Sequence, residues 1–327
     1  MKQKVLICGA TGFVGRNMAE AFVRSGQYEV HAVRFNRPEY ALADAVWHRA
    51  DLRQPEAVEA LTQGMDIIIQ AAATTSGAKD IVSRPYLHVT DNAVMNSYLF
   101  RAAFAAKVKH VVFFSCTVMY PSSDAALTEE DFDANRPLHP RYFGVGHTKL
   151  YVEKMCEFFA GISDTKFTAI RHSNIYGPYD KFDLERSHVF GATVTKVMTA
   201  KDKVVVWGTG EEERDLLHVD DLTAFVEAAI AKQPEKFRLY NCGLGQAISI
   251  KALVQKIVEA SGKTLAIEHD LSQPTIKTSL FLDCARAGEE LGWQPKVSLD
   301  AGIRHTIAWW RDHVDPQTLA FKALKAA

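Results

Sequence analysis

The fold of this chain follows from residues 4–15, KVLICGATGFVG. The apolar run KVLIC is typical of a buried strand, the glycines indicate a tight turn, and the amphipathic residues 16–25 indicate a helix. Gly9 permits the turn, Gly12 lets the backbone approach a pyrophosphate, and Gly15 lets the helix lie close to the strand. The N–H groups at the start of that helix attract an anion. The stretch therefore predicts a dinucleotide site formed by Gly9, Thr11, Gly12, Phe13, Val14 and Gly15.

The composition is that of an ordinary soluble globular protein, with 47% apolar and 24% charged residues among 327. The net charge of −1 gives no attraction to nucleic acid or an acidic membrane. Five cysteines without a CxxC pair favour a reducing compartment and no metal site. The start is too polar for a signal peptide, and no apolar run reaches the roughly 20 residues that span a membrane. We expect a cytoplasmic protein with no nucleic-acid or membrane partner.

Strands and helices alternate through the first half of the chain. This alternation predicts an α/β fold with a Rossmann-type doubly wound parallel sheet. The strands are almost continuously apolar, which indicates a sheet covered on both faces. Beyond the first unit, the predicted strands are 28–35, 46–52, 66–70, 110–115 and 166–171, and the predicted helices are 55–63, 91–107 and 148–160.

The alternation is less regular after residue 174, although no linker interrupts the chain. We therefore expect a dinucleotide-binding domain over 1–173, to which 215–243 returns. A smaller C-terminal α/β substrate domain comprises 174–214 and 244–315, and 316–327 is a tail. The cleft between the domains lies at the strand C-termini, where open α/β sheets bind ligands.

Several motifs follow one another in the order of a known family. The chain resembles the extended short-chain dehydrogenase/reductases, the NAD(P)-dependent nucleotide-sugar epimerases and dehydratases. Residues 174–189 and 206–221 are most similar to the GDP-L-fucose synthases, which are epimerase-reductases. The resemblance implies a nucleotide-sugar substrate and a homodimer formed by helices 91–107 and 148–160. The motifs are GATGFVG, ADL at 50–52, QAA at 70–72, Asn92, SCTVMYP at 115–121, Lys149, RHSNIYGP at 171–178, LHVDD at 217–221 and LGWQP at 291–295.

Further cofactor contacts are implied by the resemblance. Asp51 and Leu52 would meet the adenine, Ala71, Ala72 and Ala73 would lie along the cofactor, and Lys149 would bind the nicotinamide ribose. The choice of cofactor is indicated by the end of the second strand, where an acid favours NAD and an arginine favours NADP. The chain has Arg34 there and no acid before Glu39. NADP is therefore expected, with NAD as the alternative.

The family's catalytic tyrosine is missing. That tyrosine stands four residues before the lysine, and Lys149 would lower its pKa so that it exchanges a proton with the sugar. Here Val145 occupies the position. Tyr142 lies seven residues before Lys149, so it can replace the tyrosine only if Gly144 and Gly146 make the backbone irregular. Otherwise Tyr142 packs or lines the substrate.

A second departure concerns the catalytic Ser or Thr of the family, which is Cys116 in SCTVMYP. A thiol is a weak hydrogen-bond donor and carries protons only with a lowered pKa. A change of register by one residue would restore a hydroxyl from Ser115 or Thr117, and Cys116 would then be a buried strand-end residue. His147 is another possible proton carrier, since imidazole titrates near neutrality.

Three residues of the second half are candidates for substrate contact. In the resembling enzymes a histidine and a cysteine move protons beside a ketone. The histidine maps onto His188, and the cysteine falls at Val118 when the chains are aligned without a gap, two residues after Cys116. Asn174 would contact the substrate. Arg214 would bind the diphosphate, because a guanidinium fork suits two phosphate oxygens. The alternatives are an ordinary loop histidine and a surface salt bridge.

The leading hypothesis is an NADP(H)-dependent enzyme that epimerises and reduces a 4-keto-6-deoxy nucleotide sugar. In this hypothesis Lys149 orients the cofactor, His188 handles carbon-acid protons, and Tyr142 or Thr117 supplies the lost proton relay. A nucleotide-sugar 4-epimerase or dehydratase with tightly held NAD is the alternative among enzymes. A dinucleotide-binding sensor or scaffold without hydride chemistry is the alternative of another class, motivated by Val145 and Cys116.

Overall fold

The computed structural model describes residues 2–74, 85–184, 186–272 and 278–316, and it is built around a seven-stranded sheet in the order β10-β6-β5-β4-β1-β2-β3. Every neighbouring pair is parallel, as predicted. The strand order reverses between β1 and β4, which places a ligand crevice at their carboxyl ends. The strands are β1 Gln3–Cys8, β2 Tyr28–Arg34, β3 Ala45–Arg49, β4 Ile67–Gln70, β5 His110–Phe114, β6 Lys166–His172 and β10 Phe237–Cys242.

Helices cover both faces of this sheet. Val5 and Ile7 of β1 belong to one apolar cluster, whereas Leu6 and Cys8 belong to another on the opposite face. Successive side chains of a strand point to opposite faces, so both must be apolar when both faces are covered. The helices are α1 Phe13–Ser25, α2 Pro55–Thr62, α3 Pro85–Ala105, α4 Phe143–Ile162, α5 Val189–Thr199, α6 Val219–Lys232, α7 Ile250–Ser261, α8 Ala285–Leu291 and α9 Leu299–His313.

Two smaller sheets lie in the second half of the chain. They comprise β7 Asn174–Tyr176, β9 Glu213–His218 and β11 Ala247–Ser249 in one, and β8 Lys203–Trp207 with β12 Ala266–Asp270 in the other. A separate core there contains Tyr176, Phe190 and Trp310. The chain returns to the large sheet at β10, which pairs with β6. The domain limits stay a prediction, and the predicted tail lies outside the described residues beyond Pro316.

Helix α4 begins at Phe143, five residues before the predicted start. Gly144 and Gly146 disfavour a helix by propensity, which is why the sequence did not predict this turn. Tertiary packing overrides that preference: an added Cβ would lie 2.8 Å from Val89 at Gly144 and 2.6 Å from Leu138 at Gly146. The first turns of α4 thus need residues without a side chain.

Among the described helices, none is both long and apolar enough to cross a membrane. Each of the five cysteines is unpaired.

Candidate active site

The glycine loop after β1 forms a cradle in which Gly9 and Gly15 have no room for a Cβ atom. Gly9 has a φ of +76°, and a Cβ there would lie 2.7 Å from the backbone of Ala72. A Cβ at Gly15 would lie 2.2 Å from the Gly9 carbonyl oxygen. Gly12 precedes α1, where among the described residues no side chain caps the helix and no acid lies in its first turn. This end of α1 therefore fits a dinucleotide diphosphate.

The two arginines at the end of β2 have different partners. Arg34 Nε donates to Glu39 Oε1 at 2.9 Å. Arg37 Nη1 donates to the carbonyl oxygen of Thr11 at 3.2 Å, so this guanidinium lies against the glycine loop. The sequence pattern pointed to Arg34, whereas the geometry places Arg37 closer to the cradle.

The remaining predicted cofactor residues lie at the ends of β3 and β4. Asp51 holds Arg53 through Nη2 at 2.8 Å and Nε at 2.9 Å. The alanines 71–73 follow β4, and the Asn92 amide fixes this segment by bonding both the N–H and the carbonyl of Thr74. The backbone of Ala71 and Ala72 lies against Gly9 of the cradle, Phe13 and Val14 are in the first turn of α1, and Leu52 is buried.

Lys149 lies at the carboxyl end of β5. Its Nζ donates to the carbonyl oxygen of Phe114 at 2.6 Å and lies 4.7 Å from the centroid of the Phe113 ring. Burial lowers the pKa of Lys149, while Cys116 and Glu153 act against that shift. The ammonium is therefore held at the end of β5, and the residue one turn earlier, Val145, carries no hydroxyl.

The segment after β5 brings Cys116 close to this lysine. Burial raises the pKa of the Cys116 thiol, and the charge of Lys149 acts in the opposite direction. Ser115 Oγ donates to Glu153 Oε1 at 2.5 Å, so its hydroxyl is bonded to a buried carboxylate. The neighbouring Thr117 is buried. The side chain near the lysine is thus the Cys116 thiol, and the Ser115 hydroxyl does not take the place of that thiol.

Tyr142 is the N-cap residue of the helix that carries Lys149. Because α4 is continuous from Phe143, seven residues separate them by about 10 Å along the helix axis. The irregular backbone that a replacement by Tyr142 requires is therefore not present in α4. Instead, Tyr142 acts on the pKa of the Arg214 guanidinium, which burial lowers and Tyr142 raises. Arg214 Nη1 also donates to both oxygens of Thr278, at 2.9 and 2.7 Å.

The loop that follows β7 is fastened to α1. The Arg16 guanidinium lies 3.9 Å from the centroid of the Tyr40 ring and 3.8 Å from that of Tyr179, so the cation is held between two aromatic faces. Asn17 Nδ2 donates to the carbonyl oxygen of Pro178 at 2.9 Å. These contacts hold the start of the loop that leads to His188 against the helix of the glycine cradle.

His188 is the N-cap residue of α5, and its side chain keeps contact with solvent. The surrounding protein nevertheless lowers its pKa through desolvation, and the charge of Lys181 adds to this shift. Asn174 begins β7, where its Nδ2 donates to the Asp215 carbonyl oxygen at 3.4 Å. His147, in contrast, is exposed and packs against the ring of Phe143.

His172 is the site residue that sequence reasoning missed. It ends β6, and its ring lies 6.2 Å from that of Phe114 by centroids. Its pKa falls to about 4 through burial and through the charges of Lys149 and His188. Its position in the sequence could have identified it as a candidate, because it ends the strand next to β5, on the same edge of the sheet as residues 115–117.

Residues 5–243 match the family model described as NAD dependent epimerase/dehydratase family. The chain belongs to that family. Membership confirms the predicted Rossmann-type fold and the prediction of an NAD(P)-dependent enzyme of the epimerase/dehydratase type.

Relatives of this epimerase/dehydratase align over nearly the whole chain. GDP-L-fucose synthase of Azorhizobium caulinodans is 27% identical over 318 residues, covering 94% of this chain and 96% of the relative. GDP-L-colitose synthase of Yersinia pseudotuberculosis is 29% identical over 315 residues, covering 94% and 97%. The crystal structure of UDP-glucose 4-epimerase from Thermotoga maritima superposes with a TM-score of 0.84 at 23% identity, covering 96% and 100% of the two chains. The last likeness shows the fold.

Proposed function

We propose that this protein uses NADP(H) to epimerise and reduce a nucleotide-activated 4-keto-6-deoxy hexose. The observation that carries the proposal is the position of Lys149 and Cys116 at the end of β5, on the sheet edge that holds the glycine cradle, with the charge of His188 acting on His172 at the end of the neighbouring strand β6. The relatives named as GDP-L-fucose and GDP-L-colitose synthases support a GDP-linked sugar.

Lys149, His188 and Cys116 each have a chemical role that suits their surroundings. Lys149 holds the cofactor ribose, and the nicotinamide supplies hydride when bound. The lowered pKa of His188 keeps its imidazole neutral, so it accepts a proton from the carbon next to the ketone. The raised pKa of Cys116 keeps its thiol protonated, so its S–H is the acid that returns a proton to the carbon.

The other end of the cleft binds the nucleotide diphosphate. Arg214 is held at Thr278 through Nη1, which orients its guanidinium plane beside Tyr142. A positioned guanidinium binds two phosphate oxygens at once. Asn174 Nδ2 bonds the carbonyl oxygen of Asp215, the residue that follows Arg214, so Asn174 lies near this end of the site and would contact the sugar.

The test separates carbon-acid chemistry from reduction. NADPH oxidation is followed with a GDP-4-keto-6-deoxyhexose, and deuterium uptake from D₂O at the carbons next to the ketone is followed by NMR. We expect the wild type to show both, His188→Gln to lose deuterium uptake, and the exposed control His147→Gln to keep it. Wild-type protein that binds NADPH but oxidises none with GDP-, dTDP- or UDP-linked keto sugars would exclude the proposal.

The same samples test the alternatives. Arg34 Nε is bonded to Glu39, so Arg34 does not by itself select NADP, and NAD is the alternative cofactor. A 4-epimerase or dehydratase with tightly held NAD would release NAD on denaturation and convert a nucleotide sugar without net NADPH use. A sensor or scaffold would bind the dinucleotide and show neither activity.

We also propose that the protein forms a homodimer through α3 and α4, which lie side by side. Both helices expose apolar side chains, which a second copy of the same two helices would cover: Val94, Phe104, Tyr151, Phe158 and Ile162. Light scattering should give twice the chain mass of 36.4 kDa. The Phe158→Asp variant should give the mass of one chain, and a wild-type monomer would contradict the proposal.

A further inference from the structure

The proposed reduction needs a proton at the ketone oxygen, and Val145 cannot supply it. We propose that His172 carries this proton through Nε2, the ring nitrogen that does not bond Ser173. This inference rests on the proposed function, because it names the residue that completes the same site.

The imidazole of His172 lies on the correct edge of the sheet. β6 ends at His172 and pairs in parallel with β5, which ends at Phe114. The Phe114 carbonyl oxygen accepts the hydrogen bond from Lys149 Nζ at 2.6 Å, and its ring lies 6.2 Å from that of His172 by centroids. Lys149 reaches the backbone of Phe114 from the face covered by α4, over the ring of Phe113, whereas His172 packs on the Phe114 side chain, which belongs to the cluster of the opposite face. The two groups therefore approach the same carboxyl edge of the sheet from its two faces.

The tautomer of His172 follows from its backbone contact. Nδ1 lies 2.7 Å from the carbonyl oxygen of Ser173. A carbonyl oxygen can only accept, so Nδ1 carries the hydrogen and donates it. In the neutral ring Nε2 then has the free electron pair, and the bond also fixes the orientation of the ring.

The charged surroundings determine when Nε2 holds a proton. The titratable groups that act on His172 are Lys149 from α4 and His188 at the start of α5. Burial and these two groups lower the pKa of His172 to about 4, so the resting imidazole is neutral. The negative diphosphates of a bound dinucleotide and nucleotide sugar act in the opposite direction and favour proton uptake.

Reduction of the ketone takes up one hydride at carbon and one proton at oxygen. A bound reduced dinucleotide would supply hydride to the ketone carbon, while the Nε2–H bond of the His172 imidazolium would break and an O–H bond would form at the former ketone oxygen. Neutral His172 remains and regains a proton from solvent. In the reverse direction neutral Nε2 accepts the hydroxyl proton.

Substitution at His172 tests proton transfer against a structural role. His172→Gln retains a hydrogen-bond donor but cannot transfer a proton, so we expect kcat to fall by about 100-fold or more with unchanged NADPH affinity. Added imidazole should restore part of the kcat of His172→Ala, which a purely structural role would not allow. His147→Gln is the matched control and should keep its kcat. Loss of kcat in Tyr142→Phe but not in His172→Gln would assign the proton to Tyr142 instead.

Nitrogen NMR of histidine-labelled wild type gives a result that needs no turnover. We expect an Nδ1–H tautomer for His172 that titrates at about 4 and moves upward when NADP⁺ and GDP are added. An Nε2–H tautomer would overturn the inference whatever the activity. Wild-type protein inactive on every keto sugar removes the proposed function, whereas an active wild type whose His172→Gln variant keeps its kcat removes only the role of His172.

Discussion

Lys149 Nζ donates a hydrogen bond of 2.6 Å to the carbonyl oxygen of Phe114, so the side chain of α4 is tied to the last residue of β5. The bond positions a buried cation at the strand end where the cofactor ribose is expected. Lys149→Met retains the aliphatic stem but removes the charge. Because a charge-assisted hydrogen bond contributes about 1.5–3 kcal/mol, NADPH affinity should fall by about 10- to 100-fold.

Fluorescence titration with NADPH measures this effect. Lys154→Met on the same helix is the control, since Lys154 is exposed and pairs with Glu157. Equal affinities for the two variants would show that Lys149 does not hold the cofactor.

Two helical glycines should respond in opposite ways to alanine. Gly15→Ala places a Cβ 2.2 Å from the Gly9 carbonyl oxygen, so the cradle must move and stability should fall by about 1–3 kcal/mol with loss of NADPH binding. Gly161→Ala in α4 meets nothing within 4 Å and should stabilise by up to about 1 kcal/mol. Urea unfolding measures both, and similar changes in the two variants would contradict the close approach at Gly15.

Arg37 should contribute more to NADP preference than Arg34. Arg37 lies against the glycine loop through Thr11, whereas the Nε of Arg34 is engaged by Glu39. Arg37→Ala should lower NADPH affinity by about 10- to 100-fold and leave NADH affinity unchanged, as expected for loss of a charged contact to phosphate.

Titration of both dinucleotides gives the ratio of affinities. Arg101→Ala, which removes an exposed arginine paired with Glu59, should leave the ratio as it is. A larger change of the NADPH-to-NADH affinity ratio in Arg34→Ala than in Arg37→Ala would show that Arg34 determines the NADP preference, as the sequence pattern indicates.

Arg171 and Glu153 form a buried ion pair, with Nη2 and Nε at 2.7 and 3.0 Å from the carboxylate. Glu153→Gln leaves the guanidinium without its counter-charge, so stability should fall by about 3–5 kcal/mol. Glu268→Gln breaks the exposed pair with Lys203 and should cost less than about 1 kcal/mol. Urea denaturation compares them, and equal costs would mean that water reaches the buried pair.

Acid should destabilise the protein through buried histidines. Burial lowers the pKa of His110 from 6.5 to about 4. The unfolded chain binds more protons between these values, so this contribution is complete above pH 6.5 and is lost as the pH falls towards 4. The full loss is about 3 kcal/mol.

Urea unfolding at several pH values checks this dependence. His110→Gln should reduce the slope of the free energy of unfolding against pH in this window. His172→Gln should do the same, because its pKa also falls to about 4. An unchanged slope in both variants would show that neither histidine is buried in its neutral form.

The secondary structure near the site was predictable where local patterns agree with tertiary packing. The predicted strands 110–115 and 166–171 differ from β5 and β6 by one residue at most. The start of α4 was not predictable, because Gly144 and Gly146 disfavour a helix and only their contacts with Val89 and Leu138 require glycine there.

The parallel sheet and the glycine cradle were predictable from the sequence, because apolar strands, turn glycines and amphipathic helices are local patterns with local physical causes. The sequence also located Lys149, Cys116 and His188 as separate candidates. The pairing of groups from distant segments required the fold: Tyr142 acts electrostatically on Arg214, and Lys149 and His188 act on His172. These neighbours come from segments far apart in the chain, and their approach depends on the order of strands in the sheet, which no local pattern encodes.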